Sequence, residues 1–106
     1  MRVLGLSELG RRAQHVMQDD PQCADLLGIE SDGEFQIYIC VVPHDEAPWA
    51  GYFSPWAKIV PVPDTRDDYR LEHASLSGHW RVLDVQGSFE YCVRQIVENR
   101  YHLFFG

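Results

Sequence analysis

The chain has 106 residues, of which 45% are apolar and 12% aromatic, and it carries a formal net charge of -7. This length and composition are typical of one compact domain with its own apolar core, so we expect a single domain over residues 1–106. The charge disfavours nucleic acid and anionic membrane surfaces as partners, and no stretch approaches the roughly 20 apolar residues of a membrane helix.

The negative charge is concentrated in the middle of the chain. Residues 18–57 contain eight acidic residues and neither Lys nor Arg, whereas residues 1–17 sum to +2 and residues 58–106 to -1. If these acids share a face, electrostatics favours a basic protein as the partner. The alternative is that they only keep a small domain soluble.

The cysteines and the N-terminal residues indicate the cellular compartment of the protein. Cys23, Cys40 and Cys92 form no C-x-x-C pair, and any single bridge would leave one thiol over, so we expect reduced thiols. The N-terminal residues contain no apolar run of signal-peptide length. Both observations predict a cytoplasmic protein.

Residues 7–28 are predicted to form a helical arm of two pieces. Ser7 can cap a first helix, which the Asp19-Asp20-Pro21 step ends. The apolar face of this helix consists of Leu9, Ala13, Val16 and Met17. A second short helical piece is predicted from Pro21 to Gly28, where glycine suits a left-handed exit.

Two strands are predicted next. After a turn at residues 31–33, the run Phe35–Val42 is rich in β-branched and aromatic residues, and both of its faces are largely apolar. We therefore expect it to be a central strand. Ala57–Val62 is the second strand, and Pro61 requires an edge position or a strand end because it has no N–H to donate.

The segments Tyr69–Ser75 and His79–Val85 are predicted to form a hairpin around Ser77-Gly78. If the turn has four residues, Glu72 lies opposite Arg81 on the outer face and can form a salt bridge. The other face would then hold Tyr69, Leu71, His73, Trp80, Val82 and Asp84.

Residues 88–99 fit either a helix or a strand. Phe89, Tyr91 and Val93 alternate as in a strand, but a capping serine at position 88 and apolar residues at helical spacing favour a helix. A short extended tail over Tyr101–Phe105 would follow. The predicted fold is thus α+β, with an N-terminal helix, an antiparallel sheet of about four strands, and a C-terminal helix with a short extended tail.

Four features of the sequence occur together. Pro43 and Trp49 follow the first long strand, a Pro-x-Ala-Lys step spans residues 55–58, the hairpin returns through Trp80, and an apolar tail closes at residues 104–106. In these features, residues 33–106 resemble a family of small bacterial proteins that carries only a domain-of-unknown-function label and is often found in mobile integron gene cassettes. The resemblance implies an α+β domain with helices at both ends and no activity to carry over. The chain departs from the family pattern near the hairpin, where His73 and residues 75–77 replace basic and aromatic residues.

The strongest functional candidate is the segment Pro43–Lys58, which combines aromatic residues with three prolines next to Asp45-Glu46. Aromatic residues are enriched among interface anchors, and prolines reduce the entropy that a loop loses on binding. Within the segment, Trp49, Tyr52 and Phe53 are the candidate binding residues, whereas residues 55–58 are expected to enter a strand and the core. The predicted function is a non-enzymatic module that binds a protein partner or forms a homo-oligomer; the alternative is that these aromatics are core.

A second hypothesis is a small-molecule or enzymatic pocket. On the predicted hairpin, His73 and Trp80 would line an apolar cleft, with Asp84 as a second titratable group. The alternative is that His73 is a hydrogen-bonded core histidine.

The sequence does not favour metal binding or nucleophilic catalysis. The five histidines include no pair at metal-binding spacing, the run at residues 75–79 lacks a nucleophile elbow, and Cys92 falls on an inward helix stripe. We therefore expect no metal site, no cofactor and no catalytic residue.

Overall fold

The computed structural model describes residues 2–5, 7–17, 26–42, 45, 50–74 and 79–104. In chain order its elements are β1 (Arg2–Leu4), α1 (Glu8–Met17), β2 (Leu26–Ser31), β3 (Glu34–Val41), β4 (Tyr52–Pro61), β5 (Tyr69–Ala74), β6 (Trp80–Gly87) and α2 (Phe89–Phe104). The fold is α+β, with one helix near each end of the chain, as predicted. No helix in the described part of the chain is both long and apolar enough to span a bilayer.

The strands form one six-stranded sheet in the order β1-β2-β3-β4-β5-β6. β1 pairs in parallel with β2, and every other neighbouring pair is antiparallel. The prediction of about four antiparallel strands is therefore wrong in number and in one pairing. β1 is three residues long and too short to have a recognisable pattern.

The segment Leu26–Ser31 is a strand, so the helical piece predicted up to Gly28 is wrong at Leu26–Gly28, while residues 18–25 lie outside the described part. Gly28 is needed for close packing and not for a left-handed exit. A Cβ at this position would lie well inside 3.0 Å of the Phe35 ring on β3. Glycine in a strand often marks such a close approach.

Serine hydroxyls cap both helices, as predicted. Ser7 Oγ accepts a hydrogen bond from the Gly10 N–H at 2.9 Å, and Ser88 Oγ accepts one from the Tyr91 N–H at 3.1 Å. The helix predicted over residues 88–99 is confirmed, but it continues to Phe104. The extended tail predicted from Tyr101 is therefore wrong up to Phe104, because residues 99–104 contain no Pro or Gly to stop the helix.

β3 occupies the predicted central position, and β4 is longer than predicted because it begins at Tyr52. Ile37 pairs with Ala57, whereas Tyr38 pairs with Pro55, so the register shifts by one residue at Trp56. This β-bulge lies next to Pro55, which cannot donate to a regular ladder. Pro61 ends the strand, as predicted.

Both helices pack on the same face of the sheet and enclose the core with it. The prediction that Trp56 and Ala57 belong to the core is confirmed, since both are buried there. The helices are also joined to each other by a salt bridge. Arg12 Nη2 donates to Glu90 Oε2 at 2.8 Å, and the same guanidinium lies 5.1 Å from the centroid of the Phe89 ring.

Candidate functional site

The face of the sheet that points away from the helices carries the most unusual chemistry of the molecule. Side chains that lie opposite each other in paired strands share a face, so the strand register identifies its members. One row across this outer face consists of Gln36 on β3, Lys58 on β4, Glu72 on β5 and Val82 on β6. We use the name outer face for this side of β3–β6.

A buried carboxylate lies in this row between two cations. The side chain of Glu72 is only 7% exposed, and its Oε2 accepts a hydrogen bond from Arg70 Nε at 3.0 Å. Its Oε1 lies 3.9 Å from Lys58 Nζ. Because a buried charge is stable only when it is paired, the two cations explain why a glutamate can occupy this position.

Trp80 covers the Lys58 end of this charge cluster. Its ring centroid is 4.5 Å from Lys58 Nζ, which is the geometry of a cation–π interaction. Trp80 is on β6 and Lys58 on β4, so the contact crosses β5, where the residue opposite Trp80 is the small Ala74. The Lys58 side chain is therefore left only 18% exposed.

Apolar groups are exposed on the same face. Val82, beside Glu72, is 57% exposed. Phe53, which pairs with Cys40 on β3, is 49% exposed. The outer face therefore presents apolar groups to solvent, while the charges of Lys58 and Glu72 are largely buried.

The β3–β4 pair extends beyond its neighbours in the described part of the chain. β2 pairs with β3 only as far as Ile39, and β5 pairs with β4 only from Ala57. Tyr52 and Phe53 lie on this extension and are both about half exposed. Adjacent strand residues point to opposite faces, so Phe53 faces outward and Tyr52 faces the helix side.

The five predicted binding residues are thus not gathered at one place. Phe53 and Trp80 share the outer face, whereas Tyr52 and His73 lie on the helix side. Trp49 lies outside the described residues. The prediction that Tyr52 and Phe53 belong to a loop is wrong, because both are in β4.

The predicted pocket around His73, Trp80 and Asp84 is not assembled. His73 pairs with Arg81, and Trp80 pairs with Ala74, so the two aromatic rings are on opposite faces. The connection between β5 and β6 has five residues, 75–79, and an odd number reverses the predicted parity. Glu72 accordingly lies opposite Val82 and not opposite Arg81.

His73 is half-buried on the helix side. Burial lowers the pKa of its imidazole, and the nearby positive charge of Arg81 lowers it further. A neutral imidazole is therefore favoured in the folded protein.

The other chemical features of the described residues are a buried thiol and an open groove. The Cys92 thiol is buried and donates to the Tyr69 carbonyl oxygen at 3.5 Å, and burial raises its pKa to about 11, so it is a poor nucleophile. No three His, Cys, Asp or Glu side chains converge on a metal-sized site within the described ranges. An open groove of about 300 Å³ between the helices is bordered by the charged residues Arg94 and Glu98.

The sequence predictions missed Lys58, Arg70, Glu72 and Val82 as parts of a site. One signal was available, because Arg70 and Glu72 are two residues apart in a predicted strand and therefore share a face. The contribution of Lys58 and Trp80 depends on the register of three strands, which no local pattern reveals.

No family model, curated protein or solved structure matches the chain. The resemblance to the bacterial domain-of-unknown-function family therefore stays a prediction.

Proposed function

We propose that the protein is a non-enzymatic module that binds protein through its outer face. The observation that carries this proposal is that Val82 and Phe53 expose apolar surface there, while the charges of Lys58 and Glu72 are already paired. Apolar and aromatic groups that stay exposed on a folded domain are typical of interaction surfaces.

The energetics of this surface favour an apolar partner. Binding normally costs free energy because charged groups on the interface lose water. Here the carboxylate of Glu72 and the ammonium of Lys58 have lost most of their water on folding. A partner that approaches over Trp80 and Val82 therefore removes water mainly from apolar surface.

An enzymatic role has less support. Acid–base catalysis requires titratable groups that can reach one substrate atom. His73 lies on the helix side of the sheet, whereas Asp84, two residues after Val82 on β6, lies on the outer face. The net charge of -7 also argues for protein and against nucleic acid as the partner. The proposed setting is the cytosol, where free thiols such as those of Cys40 and Cys92 stay reduced.

Photo-crosslinking in cells that express the chain tests this function. A photoreactive amino acid replaces Val82 on the outer face, or Tyr91 on α2 as the matched control, because these side chains are 57% and 46% exposed. We expect covalent protein adducts from position 82 at a clearly higher yield than from position 91. Equal yields, or no adduct from position 82, would contradict the proposal.

A further inference from the structure

We infer that the protein which the outer face binds is a second copy of this chain, with the two sheets packed face to face. This inference rests on the proposed function above and specifies its partner. Three properties of the outer face support it: its area, its charge and the position of the acidic turns.

The area is sufficient for a specific but reversible pair. Four strands about 4.8 Å apart, with about 3.3 Å per residue over eight residues, give a footprint of about 500 Å². Two copies then bury about 1,000 Å², which reaches the lower limit of specific interfaces. Weak and transient complexes are found at this end of the size range, so we expect a dissociation constant on the order of micromolar or weaker.

The charge distribution favours this face over the rest of the surface. Each copy carries a net charge of -7, so two copies repel each other on approach. On the outer face, the positive charges of Lys58 and Arg70 offset two of the three negative charges of Glu34, Glu72 and Asp84, so the face carries one of the seven excess negative charges of the chain. Contact through this nearly neutral face keeps most of the excess acidic groups out of the interface.

The acidic turns can also be separated in a symmetric pair. β2 and β4 run in the same direction, so the β2–β3 and β4–β5 turns lie at the same end of the sheet. These turns carry the exposed residues Asp32, Asp64 and Asp67. A twofold axis that makes the two sets of strands antiparallel places these acids at opposite ends of the pair.

Sedimentation velocity of the purified chain tests the inference over concentrations up to about 500 µM, well above a micromolar dissociation constant. We expect a reversible monomer–dimer equilibrium. Raising the salt concentration from about 0.05 M to about 0.5 M should strengthen the dimer, since it screens the repulsion between two acidic copies. An interface held by opposite charges would weaken under the same change.

Matched variants locate the interface. Val82→Asp places like charges in the symmetric contact and should weaken the dimer by at least about tenfold. Tyr91→Asp adds the same charge on α2, away from the outer face, and should change the dissociation constant of the dimer only slightly. Phe53→Asp is a second outer-face variant in case Val82→Asp does not fold, and circular dichroism checks that each variant is folded.

Several results would overturn the inference. One is a monomer at every concentration and salt level, and another is a dimer that Tyr91→Asp disrupts and Val82→Asp does not. Photo-crosslinks from position 82 to a different protein only, with a monomeric chain, would overturn the inference and leave the proposed function standing. The absence of any crosslink from position 82 would instead remove the proposed function itself.

Discussion

The ammonium group of Lys58 lies 4.5 Å from the centroid of the Trp80 ring, although the two residues are on strands separated by β5. This contact orients the indole across the outer face and covers one side of the charge cluster. The cluster in turn depends on Glu72, which is the one charged residue that is buried among those described. Removing this carboxylate therefore tests how much the charge cluster contributes to the stability of the fold.

We predict that Glu72→Gln destabilises the protein. Lys58 and Arg70 would lose their counter-charge at a site where Lys58 is only 18% exposed. Breaking a buried pair costs about 3–5 kcal/mol, and because Arg70 is partly exposed we expect about 2–3 kcal/mol here. Urea unfolding measures the change in the free energy of unfolding.

The control for Glu72→Gln is Glu98→Gln, on the exposed side of α2, which should change the free energy of unfolding by less than about 0.5 kcal/mol. The double variant Lys58→Met with Glu72→Leu should recover part of the loss, because it removes two partners together. Equal effects of Glu72→Gln and Glu98→Gln would show that the cluster does not stabilise the fold.

Gly28→Ala tests the packing between β2 and β3. The added methyl group would collide with the ring of Phe35, which is completely buried, so any shift of the ring disturbs the packed core. We expect a loss of about 1–3 kcal/mol in the free energy of unfolding, as for other overpacked cores.

Gly33→Ala is the control for this steric effect. A Cβ at Gly33 meets open space, but the backbone there has φ of +83°, so any loss comes from backbone strain. A double-mutant cycle with Phe35→Leu separates the two causes, because the smaller side chain should relieve Gly28→Ala and not Gly33→Ala. Equal coupling energies of Phe35→Leu with Gly28→Ala and with Gly33→Ala would contradict the steric explanation.

His73 should make the stability depend on pH. Burial, followed by the charge of Arg81, lowers the pKa of His73 in the folded state, whereas an unfolded histidine has a pKa of about 6.5. The unfolded chain therefore takes up this proton first. The contribution to stability is complete above about pH 6.5 and is lost as the pH falls through the folded-state pKa.

Urea unfolding at a series of pH values measures this effect in the wild type and in His73→Gln. We expect a shallower pH dependence in the variant between about pH 7 and pH 5. Gln14→Ala, an uncharged change at an exposed position on α1, is the control and should keep the wild-type slope. An unchanged slope in His73→Gln would assign the dependence to other groups.

The Arg12–Glu90 salt bridge predicts a second pH effect at lower pH. The hydrogen bond from Arg12 lowers the pKa of Glu90, whose usual value in an unfolded chain is about 4.3. The stabilisation is complete above that value and is lost as the pH falls through the folded-state pKa. Since the Glu90 side chain is 40% exposed, we expect at most about 1 kcal/mol.

The difference in unfolding free energy between the wild type and Glu90→Gln should therefore be positive near neutral pH and shrink in acid. Arg12→Gln should remove the same pH-dependent contribution to the free energy of unfolding. The double variant should lose no more of this contribution than either single variant. A difference that stays constant down to about pH 2.5 would contradict a charged hydrogen bond.

The sequence predicted features that local chemistry determines. The capping serines, the turn at Asp32-Gly33 and the proline at the end of β4 each depend on the few residues around them. These local signals located both helices and the central strand. They could not reveal β1, whose three residues become a strand only by pairing with β2.

The candidate site depended on a longer-range property, the register of the strands. A single additional residue in the β5–β6 connection moved Trp80 from the face of His73 to the face of Glu72. The bulge at Trp56 similarly lets neighbouring residues of β4 share the core side. Of the predicted binding residues, Phe53 and Trp80 lie on the outer face, whereas Tyr52 and His73 do not. This grouping requires the strand register of the sheet.

The two lateral edges of the sheet limit the size of any assembly. One edge is the three-residue strand β1, and the other is β6, whose register with β5 is irregular and which exposes Arg81 and Asp84. Short strands, bulges and exposed charges all oppose the addition of another strand. With helices on one face, the proposed dimer would use a single surface on each copy, so association through the outer face would close at two copies and would not continue into a fibre.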